Sequence, residues 1–260
     1  MLHAVVGILV RDGRVDPSQP PPLSYWSDAD DPRRSITWDD LLQMRAGLQW
    51  VEEYYDFATD ALPDVVQMLY GTGRSDMAAF VAAFSLVHEP GSSEAYTYSS
   101  GTSNLTAAAA QEVIGGGEAG MRDFLRSELF APIGMSDVRV DFDEAGTFVA
   151  SSFVYAKALD FARFGLLYLR DGVWDGRRIV ADGWVDHGRT PRSPDEDIFH
   201  GAHWWARADE LGTFCALGFE GQRIWCVPAL DLILVRLGRT HADHGPTLDA
   251  HLMQIVDQFR

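Results

Sequence analysis

The chain has 260 residues, a formal charge of -17 and 47% apolar residues. That length fits one large domain or two interleaved ones, and the apolar share is enough for a sizeable core. The acidity excludes nucleic acid as a partner, because phosphate binding needs clustered Lys and Arg, and it argues against an anionic membrane surface. No internal repeat or low-complexity tract is present.

"MLHAVVGILVRDG" opens the chain with a seven-residue apolar run, Ala4 to Val10, and no basic residue before it. The run is too short to span a bilayer and lacks the charged start of a signal peptide. It reads as the end of a buried helix stopped at Asp12-Gly13. A cytoplasmic location would follow if Met1 is the true start; otherwise the compartment is open.

A loop with Pro17, Pro20, Pro21 and Pro22 follows, and then "SITWDDLLQM" predicts a helix capped by Thr37 with Asp40 three residues on. Two helical stretches are expected in 61–88, separated by Gly71 and Gly73. "GTSNLTAAAAQEVIGGG" predicts a helix from near Ser100 that ends in glycines. In the next segment Met121, Phe124, Leu125 and Leu129 fall at helical spacing. In "YAKALDFARFGLLYL" the expected apolar face is Ala158, Phe161, Ala162, Leu166 and Leu169, with Asp160 and Arg163 solvated and Ser151-Ser152 as its cap.

The period changes in the last third. "HWWARA", "TFCAL", "QRIWCVP" and "DLILVRLG" are short, rich in β-formers and bounded by turn residues. "LILV" has no polar alternation and reads as a strand covered on both faces. A final helix is expected to bury Leu248, Leu252, Ile255 and Phe259. The pattern is α+β: a mostly helical region over 1–195, then antiparallel strands and a flanking C-terminal helix over 196–260, built as one unit. Cys215 and Cys226 lie in apolar runs and read as small buried hydrophobes.

"EAYTYSSGTSNL" raises the chemical question. A phenol titrates near ~10 and is a poor base unless a cation lowers that value. The helix that starts after Tyr98 would set Ser99 and Ser100 at a helix N-terminus, a reasonable place for an oxyanion or a substrate carboxylate. The histidines of "THADHG" and "HGAH" suggest a metal, but the ligand set is incomplete, so no metal and no cofactor are expected.

"ITWDDLLQMRAGLQW", "EPGSSEAYTYSSGTSNL", "LFAPIGM", "LDFARFGLLYLRDGVWDGRRI" and "LGFEGQRIWCVPALDLILV" resemble, in order and spacing, the serine β-lactamase-like hydrolases. The likeness is to the class C-type branch, with its D-alanyl-D-alanine carboxypeptidases, esterases and aminohexanoate-oligomer hydrolases. It implies a β-lactamase/transpeptidase-like fold and three motifs: Ser-x-x-Lys, Tyr-x-Asn, and Lys-Thr-Gly or His-x-Gly on a strand. Tyr98 matches the second motif, and Ser100 replaces its Asn. Ala216-Leu217-Gly218 stands at the third, with only the glycine matching. The resemblance thus implies catalytic roles for Tyr98 and Ser100, and oxyanion or substrate contacts for Gly218, Phe219 and Gln222.

The first motif is absent. Lys157 is the single lysine, and Val154 stands three residues before it. Family order places the missing Ser and Lys just before Met1, together with the N-terminal strands of the sheet. The expectation is a serine hydrolase of small esters or amides that lacks its nucleophile segment and is inactive as it stands. The alternative is a ligand- or partner-binding protein of the same fold. Without its neighbour, "DLILVRLG" would be an exposed sheet edge, favouring homo-oligomers.

Overall fold

A computed structural model describes residues 1–52, 62–193 and 198–260. Helix α1 (Leu2–Arg11) forms the centre. Leu2, Ala4, Val5, Val6, Ile8 and Leu9 are all buried, as befits a helix apolar on every side. Thr37 and Asp40 make the reciprocal capping box at α2 (Trp38–Leu42). Then come α3 (Asp64–Tyr70), α4 (Met77–Ala82) and α5 (Ser100–Ile114). Helix α6 (Gly117–Phe124) runs into a π-helical turn, and Met121, Phe124, Leu125 and Leu129 are buried as the spacing predicts.

Two hairpins frame α7 (Ala158–Leu169): β1 (Val138–Val140) with β2 (Val154–Ala156), and β3 (Val173–Trp174) with β4 (Arg177–Arg178). Both are too short to carry a periodic signal. Helix α8 (Trp184–Arg189) leads to the main sheet. Its strands are β5 (Ile198–His200), β6 (Trp205–Arg207), β7 (Phe214–Gly218), β8 (Gln222–Val227) and β9 (Leu232–Arg236). They pair antiparallel in sequence order, and β9 forms an edge. Helix α7 packs on one side of the β8–β9 pair. Trp225 and Val227 of β8 share an apolar cluster with Leu252 and Val256 of α9 (Gly245–Val256). No described helix is long and apolar enough to cross a membrane.

Two helical faces differ from the sequence reading. On α7 the buried residues are Asp160, Phe164, Gly165, Leu167 and Tyr168, not the expected set. Gly165 explains the rotation: a Cβ there would lie 2.9 Å from Ile224 Cγ2 and 3.1 Å from Ile233 Cγ2, so the helix meets the sheet where it has no side chain. Counting apolar residues misses a contact made by glycine. Asp160, expected in solvent, is 2% exposed, and its Oδ1 accepts from Arg163 at 3.1 Å. On α9 the buried residues are Leu252 and Val256, while Ile255 and Phe259 face solvent. The chain tightens into a 3₁₀ turn at Asp257–Phe259, which carries Phe259 off the helical stripe.

A buried polar line ties α1 to its neighbours. His3 Nδ1 lies 2.8 Å from the Tyr168 hydroxyl, and His3 Nε2 lies 3.2 Å from His187 Nδ1. His187 Nε2 lies 2.8 Å from Asp39 Oδ1. With both rings neutral, one proton direction satisfies every atom: His187 Nε2–H donates to the carboxylate, His3 Nε2–H to His187, and the Tyr168 O–H to His3. The line fixes α1 against α2, α7 and α8.

Candidate active site

Helix α5 begins where Ser99 turns extended, and the Ser99 Oγ accepts from Thr102 N at 3.0 Å. Ser99 is therefore the N-cap and Ser100 the first helical residue. Gly101 follows because a Cβ there would meet Val81 and Trp50 within 2.9 Å. This close packing brings Glu52, two residues beyond Trp50, onto the helix N-terminus. Its Oε2 accepts from Ser100 N at 2.8 Å and from Trp50 Nε1 at 2.6 Å; its Oε1 accepts from Ser100 Oγ at 2.6 Å. A carboxylate is favoured there by the free N–H groups and the helix dipole.

Tyr98, just before the cap, faces the sheet. Its ring stands perpendicular to His200 with centroids 5.6 Å apart, and 5.4 Å from the ring of Trp205. Tyr98, Ser100 and Ser103 form one wall of a cleft of about 130 Å³. His200, His203 and Trp205 form another, Ala216 and Leu217 of β7 a third, and Met44, Ala150 and Ser151 close it. Met44 and His203 both hold left-handed backbone, at φ 60° and 61°. Strained backbone of this kind gathers at functional sites, at roughly 1–3 kcal/mol each.

Although 37% of Tyr98 is exposed, protein crowded around its phenol raises its pKa well above the usual value; the charge of Glu52 and the Tyr96 phenol add to the rise. Burial holds His200 neutral, lowering its pKa to about 3, and lowers His203 strongly as well. Among the described residues no Lys or Arg lines the cleft. Three polar atoms in its walls, Ser151 Oγ, His200 Nδ1 and His203 Nε2, are buried without a hydrogen-bond partner among the described residues.

The structure thus brings Tyr98, Ser100 and the Ala216-Leu217 part of the third stretch together. Gly218, Phe219 and Gln222 lie further along β7 and its turn, outside the cleft lining. A Cβ on Gly218 would meet the Gln222 Cβ at 2.8 Å, so that glycine makes room for its own hairpin. Phe219 is 54% exposed. The Gln222 amide bonds Gly238 N and O and Phe219 O, fastening the β7–β8 turn to the loop after β9. Trp204 lies in the core against Phe164, Tyr168 and Phe214, while its neighbour Trp205 faces the cleft. Ser151, expected as a helix cap, is instead in the cleft wall, because α7 starts only at Ala158, after Lys157. Lys157 is exposed and paired with Asp137 at 3.0 Å. Sequence reasoning missed the roles of Glu52 beside Ser100 and of His200 and Ser151 in the cleft wall; each lies far in sequence from Tyr98.

The family model described as Beta-lactamase matches residues 1–257. A 6-aminohexanoate-dimer hydrolase from Paenarthrobacter ureafaciens is 28% identical over 254 residues; the match takes in 90% of this chain but 62% of that protein's length. Among solved structures, a Bacillus anthracis protein assigned as a 6-aminohexanoate-dimer hydrolase superposes with a TM-score of 0.77 at 18% identity, over 99% of this chain and 72% of its own. An octameric penicillin-binding-protein homologue from Pyrococcus abyssi gives 0.70 at 15% identity, over 98% and 63%. A family match across almost the whole chain, on a helical body and antiparallel sheet of the β-lactamase/transpeptidase kind, means that the chain belongs to the beta-lactamase family.

Proposed function

We propose that the cleft is an acyl-transfer site that hydrolyses a small ester or amide through an acyl-enzyme, its nucleophile and activating lysine being supplied by residues outside these 260. The observation that carries this reading is convergence. Tyr98 and Ser100 meet the third-motif strand, which is far from them in sequence, on one cleft. The family resemblance puts the missing serine and lysine just before α1.

The roles follow from the chemistry. The serine attacks the acyl carbon, its proton passing to the lysine–tyrosine pair, and the tetrahedral oxyanion is held by backbone N–H of β7 where Ala216 and Leu217 line the cleft. Tyr98 then delivers the proton to the leaving oxygen or nitrogen as the acyl–leaving-group bond breaks. Water later attacks the acyl-enzyme by the reverse relay. Tyr98 alone holds its proton, because burial and Glu52 raise its pKa. A lysine cation beside it would bring that value down. Ser100 orients the substrate in part of the role the family gives to Asn. Ala216 stands where a Lys or His would hold a substrate carboxylate, which favours esters and simple amides over penicillins. The Paenarthrobacter relative is named for a substrate whose scissile bond is an amide, in keeping with this class.

The 260-residue chain should form no adduct with a fluorophosphonate or a fluorescent penicillin. A stoichiometric adduct on Ser99, Ser100 or Ser103 would overturn the reading. The absence of Ser-x-x-Lys from the sequence also favours a second one, a ligand-binding protein that has kept the fold without the chemistry. It predicts a native protein that binds small amides yet never acylates.

A further inference from the structure

Resting on the reading of the cleft as the acyl-transfer site, we infer that Glu52 is a specificity-determining residue: it occupies the N-terminus of α5, where an anionic group would otherwise sit, and so restricts the cleft to uncharged or cationic amides and esters. A helix N-terminus that opens on a cleft is a natural seat for a carboxylate. Here the Ser100 N–H is taken by Glu52 at 2.8 Å. Ser100 lines the cleft and gives its only hydroxyl proton to Glu52 at 2.6 Å, so that toward a ligand its oxygen presents lone pairs. It accepts from an amide N–H or an ammonium and has nothing to give a carboxylate.

The rest of the lining supplies no compensation. No Lys or Arg is present among the described lining residues. His200 is 1% exposed with Nδ1 unpartnered among the described residues, so it offers a hydrogen bond without a charge, and burial keeps both it and His203 neutral. A ligand carboxylate would therefore face the Glu52 charge across one serine. Two like charges roughly 6 Å apart in a partly buried site change affinity by on the order of tenfold to a hundredfold.

Three amides of similar length isolate the charge: hexanamide, 6-aminohexanamide and the monoamide of adipic acid. Each is titrated at pH 7.5 into the 260-residue chain, with binding read from NMR shifts of the Ser100 amide and the Trp205 indole. The neutral and cationic amides should bind at least about tenfold more tightly than the anionic one. In Glu52→Gln the gap should close to within about threefold. Should that variant not fold, added salt on the unchanged chain serves instead and should narrow the gap. Equal binding of the anionic and neutral amides overturns the inference and leaves the acyl-transfer reading standing. No shift at either reporter with any probe overturns both.

Discussion

Acidification below pH 6.5 is expected to destabilise the fold through His3, His200 and His203, all held neutral by burial. Folded pKa values below the unfolded 6.5 mean that the unfolded chain binds more protons as pH falls. The stability these groups contribute is therefore complete above 6.5 and is lost toward the folded values. For His200, whose folded value is about 3, linkage gives a loss of about 2 kcal/mol at pH 5. His3 and His203, also lowered by burial, act in the same direction and deepen the loss. Asp64 and Asp143, raised by burial, oppose the trend, but only as pH nears the carboxylate range. Urea unfolding at pH 7, 6, 5.5 and 5 should show a decline that steepens below 6.5. In His200→Gln the loss between pH 7 and 5 should be smaller by about 2 kcal/mol. If the variant and the parent lose the same stability over that interval, the linkage argument is refuted.

Gly7→Ala should destabilise by about 1–3 kcal/mol even though alanine favours helix. The new Cβ would stand 2.3 Å from the Trp184 indole, which is 4% exposed and fixed by its N–H bond to His3 O; an unchanged or raised urea midpoint would contradict this. The β9 edge should drive association, so Leu234→Lys should lower the sedimentation-derived mass of any oligomer; a parent chain that is monomeric at high concentration would refute it. In a protein that carries the serine and lysine, Tyr98→Phe should lower kcat by on the order of a hundredfold or more with KM little changed. Retained turnover would remove Tyr98 from the proton path.

What the sequence disclosed, and what it hid, follows from how local each signal is. Helix α1, the Thr37 capping box, the start of α5 and four of the five main-sheet strands rest on patterns within a dozen residues, and the fold bears them out. Cys215 and Cys226 are buried free thiols, as their apolar runs suggest. The rotation of α7 was illegible because glycine makes the contact, and the burial of Asp160 because its partner Arg163 looked solvated beside it. The site divides in the same way. Tyr98 and Ser100 were found through a motif, and both line the cleft. His200 reaches the cleft, and Glu52 reaches Ser100 in its wall, only through tertiary packing, at 102 and 46 residues from Tyr98, and no periodicity announces them.

The most direct test of the central claim is peptide mapping of the fluorophosphonate adduct on the protein isolated from its native source, with its intact mass measured alongside. The account predicts a mass above 28.8 kDa and one adduct, on a serine three residues before a lysine, N-terminal to Leu2. A native mass of 28.8 kDa with no adduct, or an adduct on Ser99, Ser100 or Ser103, would contradict it.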